Sequence, residues 1–133
     1  MEVRKMRLEG KVVLIAGAGS ITEISGLSGI GRATAILFAQ EGAKVVAASR
    51  QIDKLKELAA RIQAAGGEAM PIQLDVAKED GIKAAFGQAM DKFGRVDILV
   101  NNAGGSFGAF ETMIADLSLA DWQQVLDINL TGA

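Results

Sequence analysis

Gly17, Gly19, Gly29 and Gly31 stand in the stretch LIAGAGSITEISGLSGIGRATA (Leu14 to Ala35), between an apolar run and an amphipathic pattern. Glycines in a strand-to-helix turn let the backbone bend tightly and bring bare N–H groups close to an anion. A helix that starts here adds the positive end of its dipole. The chemistry on offer is the holding of a phosphate or pyrophosphate. A flexible loop before an ordinary packed helix would use the same glycines, and this turn alone leaves both readings open. A second group is Ser49-Arg50, with Lys54 one turn on. A hydroxyl and a guanidinium suit a phosphate monoester, because hydrogen bonds to charged groups are worth roughly 1.5–3 kcal/mol. Alternatively, Arg50 begins a solvated helix, on which Asp53 and Glu57 read as exposed positions.

What is missing narrows the chemistry further. The sequence has no cysteine and no histidine. That removes thiolate nucleophiles, imidazole bases and the usual zinc ligands. Asp116, Asp121 and Asp127 do not have the spacing of a metal site, so no metal is expected. The net charge of −2 and the lack of a basic block argue against nucleic acid as a partner. Half the residues are hydrophobic, yet no apolar run reaches the roughly 18 residues that would span a bilayer. The opening MEVRKMRLEGK is charged and lacks the apolar core of a signal peptide. A soluble cytoplasmic protein is expected. By length, residues 1–133 form one domain with room for a real core.

The elements that must position these groups alternate. Lys11–Ala16 is an apolar run that reads as a strand covered on both faces, Lys44–Ser49 reads as a second buried strand, and Ala69–Asp75 and Val96–Asn102 read as a third and a fourth strand. Between them lie three helical patterns. The first begins at Gly29, places Ile30, Ala33, Leu37 and Phe38 on one side, and stops at Gly42. The second, Asp53–Ala65, repeats Leu55, Leu58, Ala59 and Ile62 and ends at Gly66-Gly67. The third, Glu79–Phe93, carries Ile82, Ala85, Phe86, Ala89 and Phe93. The single proline, Pro71, suits the entry of its strand. A loop follows the fourth strand. Ser118 and Asp121 then form a capping-box pattern before WQQVLDINL, whose Trp122 is expected to pack on the sheet. Met70, Phe86 and Phe93 read as core, and Asp97 as structural. Such alternation predicts right-handed crossovers and an α/β doubly wound parallel sheet of order 3-2-1-4. Its ligands lie beyond the carboxyl ends of the strands, where Gly17, Ser49, Asp75 and Asn102 fall.

Three segments carry a family likeness. GRVDILVNNAGG, VLDINLTGA and the Leu74–Val76 LDV resemble the classical short-chain dehydrogenase/reductase family, and the likeness extends from Leu8 to Ala133. The resemblance implies a Rossmann-type sheet that binds NAD(H) or NADP(H), for hydride transfer between nicotinamide and a carbonyl or alcohol. It assigns Gly17, Gly29 and Gly31 to the glycines of a TGxxxGxG turn, with Ile30 between the last two and Ser20 in its place within the turn. Asp75 and Val76 match the pair that contacts adenine. Asn102, Ala103 and Gly104 match the segment along the nicotinamide-side ribose. Asn129 matches the asparagine of a catalytic Asn-Ser-Tyr-Lys set.

This chain departs from the pattern in four ways. Ala16 replaces the threonine whose hydroxyl ties the turn to the Asn-Ala-Gly segment. Gly17 and Gly29 lie 12 positions apart where the pattern gives 4, so the eight residues ITEISGLS are extra. They either loop outward or, through Glu23, weaken a phosphate site. The second strand ends in Ser49-Arg50 rather than a carboxylate, which favours NADP(H) over NAD(H). Finally, no tyrosine occurs among the 133 residues, so only Asn129 of the catalytic set is present. The expected chain is a truncated fold with strand 4 at a sheet edge. It binds a dinucleotide without turning over as a dehydrogenase, and it associates as a dimer or higher oligomer. Three readings follow: the cofactor-binding half of an NADP(H)-dependent oxidoreductase, a stand-alone dinucleotide-binding module, or an interaction protein that has lost the site.

Overall fold

The computed structural model describes residues 5–20, 29–106 and 111–133. The strands are β1 (Val12–Ala16), β2 (Lys44–Ser49), β3 (Glu68–Gln73) and β4 (Ile98–Asn101). They form one parallel sheet in the order β3-β2-β1-β4. The helices α1 (Ile30–Gln40), α2 (Ile52–Ala64) and α3 (Glu79–Phe93) make the crossovers. A 3-10 turn (Ile114–Asp116), α4 (Leu119–Leu126) and a π-helical turn (Asp127–Thr131) follow β4. Fold class and strand order are those expected from the alternation.

Every residue of β1 is buried, which its apolar run requires of a strand covered on both sides. Val13, Ile15, Val45 and Ala47 meet α1 and α2 on one face, through Ala35, Leu55, Leu58 and Ile62. Val12, Leu14, Val46 and Ile72 meet α3 on the other, through Ala85 and Ala89. Met70, Phe86 and Phe93 are partly buried against this second cluster, in keeping with a core role.

Several local expectations are corrected. The buried side of α1 is Gly31, Arg32 and Ala35, with Ile36, Phe38 and Ala39 partly buried. Ile30 is 78% exposed and Leu37 45%. Small residues let this helix lie close to the sheet, and that close approach decided its face. Pro71 sits inside β3, opposite Ala47, rather than at its entry. An edge strand tolerates it because half its N–H groups have no ladder partner. α4 buries none of its residues, and Trp122 is 47% exposed, so it does not pack on the sheet. Ser118 does cap α4: its Oγ accepts from Asp121 N–H at 3.1 Å and donates to Asp121 Oδ2 at 2.5 Å. β4 forms the edge opposite β3. Asp97, just before it, accepts from Val12 N–H at 2.8 Å and from Arg95 Nε at 2.9 Å, a structural tie between the starts of β4 and β1.

Candidate functional site

The carboxyl ends of the four strands open into a cleft of about 550 Å³, within the range of sites that hold small organic ligands. Its floor is built by close approach of two backbone segments. Gly17 leaves β1 with φ +86°, and a Cβ there would stand 2.8 Å from the Ala103 backbone. Gly31, in the first turn of α1, lies so near that a Cβ would meet Gly17 O at 2.4 Å and Asn102 Nδ2 at 2.6 Å. Asn102 N–H donates to Ala16 O, and its side-chain amide donates to Gly17 O, each at 3.2 Å. The tie expected from a threonine at position 16 is thus supplied from the opposite side, by Asn102.

The interrupted turn closes on itself. Gly29 N–H donates to Ser20 O at 3.1 Å, so the residues flanking the eight extra positions are hydrogen-bonded neighbours. The direction of the insertion and the place of Glu23 lie outside the described residues. Gly29 is the N-cap of α1; among the described residues no side chain caps that end, and its first turn holds no acidic residue. The N–H groups there retain the positive potential that attracts an anion.

Most of the sequence-derived site residues line this cleft: Gly17, Ser20, Gly29, Ile30, Ser49, Arg50, Asp75, Val76, Asn102, Ala103 and Gly104. Gly31 lies beneath the floor, not on it. Lys54 joins Ser49 and Arg50 in the lining. Ser49 Oγ accepts from Gln51 N–H at 3.2 Å. Asp75 Oδ1 accepts from Ala77 N–H at 3.0 Å, and its main-chain O accepts from Lys78 N–H at 3.0 Å. These bonds fix the turn after β3 that carries Val76.

Asn129 does not line the cleft. It sits in the π-helical turn, a geometry that recurs at functional sites. Its Oδ1 accepts from Gly105 N–H at 3.1 Å, and its Nδ2 donates to Gly105 O at 2.8 Å and to Val125 O at 2.9 Å. Both amide hydrogens are occupied. What the arrangement lets Asn129 do is hold the 103–105 backbone against α4.

Sequence reasoning passed over Ile128 and Arg32. Ile128 is 8% exposed and lines the cleft from the π-helical turn after α4; its place inside DINL was the available signal. Arg32 is 4% exposed and pairs with Glu57 at 2.7 Å. Nothing in an amphipathic pattern marks an arginine as buried. Among the described residues no three His, Cys, Asp or Glu side chains converge as a metal site, and no helix is long and apolar enough to cross a membrane.

Comparison with known proteins gives a consistent picture. A family model described as short chain dehydrogenase matches residues 11–133. The chain is 41% identical over 127 residues to a 3-oxoacyl-(acyl-carrier-protein) reductase of Thermotoga maritima, covering 96% of this chain and 47% of the relative. It is 40% identical to a 3beta-hydroxysteroid dehydrogenase of Mediterraneibacter gnavus, covering 95% and 42%. A crystal structure of a putative short-chain dehydrogenase/reductase from Burkholderia xenovorans superposes with a TM-score of 0.84 at 37% identity, covering 95% and 47%. A 7 alpha-hydroxysteroid dehydrogenase complexed with NADH and 7-oxo glycochenodeoxycholic acid superposes at 0.83 and 34%, covering 96% and 46%. The chain therefore spans about half the length of the relatives it matches.

Proposed function

The chain belongs to the short-chain dehydrogenase family, whose members bind nicotinamide dinucleotides, and on that premise we propose that it forms the NADP(H)-binding portion of an oxidoreductase. The observation that carries this reading is the composition of the cleft from end to end. Ser49, Arg50 and Lys54 stand on one side, the N-terminal end of α1 in the middle, and Asn102–Gly104 on the other. The residues fit such a cofactor. The first turn of α1 faces its pyrophosphate, Asp75 and Val76 flank its adenine, and Ser49 with Arg50 receives a 2′-phosphate. Asn102, Ala103 and Gly104 line the nicotinamide ribose, and Asn129 keeps that segment in position. The nicotinamide, when bound, supplies or accepts the hydride.

The catalytic half of the family's chemistry needs a positioned proton donor, typically worth 10²–10⁴ in rate. No tyrosine is available for that task in these 133 residues, which supports a second reading, a dinucleotide-binding module without turnover. The test for both is a fluorescence titration of the purified chain with NADPH and, in parallel, NADH, followed by an assay with a carbonyl substrate. Saturable binding with NADPH preferred, and no carbonyl reduction, is the expected result. Absence of binding at millimolar cofactor would overturn the site, and robust reduction would overturn the non-catalytic reading.

We further propose a homo-oligomer in the cytoplasm. Exposed Leu99 and Trp122 favour association. Sedimentation at micromolar concentration should show a dimer or larger species; a single monomeric boundary contradicts it.

A further inference from the structure

Arg32 is the third residue of α1, in the turn beneath the pyrophosphate end of the cleft. A cation in the first turn of a helix opposes the dipole, and arginine is rarely buried unless paired. Here it is 4% exposed, and its guanidinium crosses to α2. Nη2 donates to Glu57 Oε1 at 2.7 Å, and Nη1 donates to Lys54 O at 3.4 Å. The planar fork thus takes two partners on successive turns of one neighbouring helix. α2 begins immediately after Ser49-Arg50, its N-cap Gln51 makes no side-chain cap, and Lys54 lines the cleft. Leu55 and Leu58 set the depth of α2 against the sheet. Arg32 ties its first turns to the start of α1.

We propose that Arg32 is a positioning residue for cofactor discrimination: it holds Lys54 and the Ser49-Arg50 end of the cleft at a fixed distance from the α1 N-terminus. The inference rests on the NADP(H) reading. A dinucleotide spans from the α1 end to the α2 end, so a 2′-phosphate is recognised only if both ends keep their separation. A 2′-hydroxyl engages fewer groups at the α2 end and is less sensitive to that separation. Glu57, 65% exposed at its side chain, serves here as the outer anchor of the fork, a role that its surface position on α2 does not reveal.

The test is the ratio of NADPH to NADH affinity in Arg32→Met, Arg32→Lys and Glu57→Gln chains, alone and with Lys54→Ala. Arg32→Met keeps a long apolar stem and loses the fork. It is expected to weaken NADPH about tenfold while NADH changes less than about twofold. Lysine, with a single ammonium, restores part of the ratio. Glu57→Gln alters an exposed side chain, leaves the Lys54 bond in place, and carries the test should Arg32→Met fail to fold; about a threefold loss confined to NADPH is expected. In the Lys54→Ala background the effect of Arg32→Met on the ratio should shrink but persist, because the Ser49-Arg50 end is still held through the main-chain carbonyl of residue 54. Equal losses for both cofactors, or an unchanged ratio in Glu57→Gln and any folded Arg32 variant, would overturn the inference while a wild-type preference for NADPH left the functional reading standing. A wild-type chain that binds neither cofactor overturns both.

Discussion

At Ser49 the hydroxyl oxygen already accepts the Gln51 N–H, which leaves its proton to be donated into the cleft beside Arg50. That pairing of one neutral and one charged donor is suited to a phosphate and superfluous for a hydroxyl. Arg50→Ala is expected to raise the dissociation constant of NADPH by about 10- to 100-fold, the equivalent of one charge-assisted hydrogen bond, and to leave that of NADH almost unchanged. Equilibrium titration of both cofactors checks it; parallel losses would show that Arg50 supports the fold rather than reading a phosphate. At this scale the sequence was most legible where backbone geometry forbids a side chain. Gly17 and Gly31 could be picked out because nothing larger fits where β1, α1 and the Asn102 segment meet. Arg32 could not, because its burial depends on a partner 25 positions away.

Strands were easier to locate than the faces of helices. The apolar runs that became β1 and β2 have no polar face to misplace, whereas α1 was assigned the wrong side. Its large residues suggested Ile30 and Leu37, but contact with the sheet goes to Gly31 and Ala35, since the tight turn brings the backbone too near for bulk. α4 was expected on the sheet because Trp122 is large and apolar; it stays exposed, and only its Ser118 cap was readable from local spacing. The Asp97 tie between β4 and β1 gives this scale a pH-dependent prediction. The Arg95 side-chain hydrogen bond and then the Val12 N–H hold the Asp97 carboxyl below its usual value of 3.8. A carboxylate more acidic in the folded than in the unfolded chain stabilises the fold above the unfolded value. That contribution is lost as pH falls through the folded value. The stability gap between the wild type and Asp97→Asn should therefore be constant near neutral pH and narrow below about pH 4. Denaturant melts across that range measure it, and a gap unchanged down to strong acid would contradict the role given to Asp97.

For the whole molecule, the sheet order β3-β2-β1-β4 places the topological switch between β1 and β4. That topology puts Gly17, Ser49, Asp75 and Asn102 around one cleft although they are spread over 86 positions. The eight-residue insertion does not separate the parts, because Ser20 and Gly29 close its neck. We propose that this cleft, and no other surface, takes the dinucleotide. Two-dimensional amide NMR of the isotope-labelled chain during NADPH titration tests it most directly. Saturable shifts are expected at Gly17, Gly29–Gly31, Ser49, Arg50, Asp75, Val76 and Asn102–Gly104, with Gly66 and Gly94 unmoved at the opposite end of the sheet. Shifts centred on that opposite end, or none at millimolar NADPH, would contradict it.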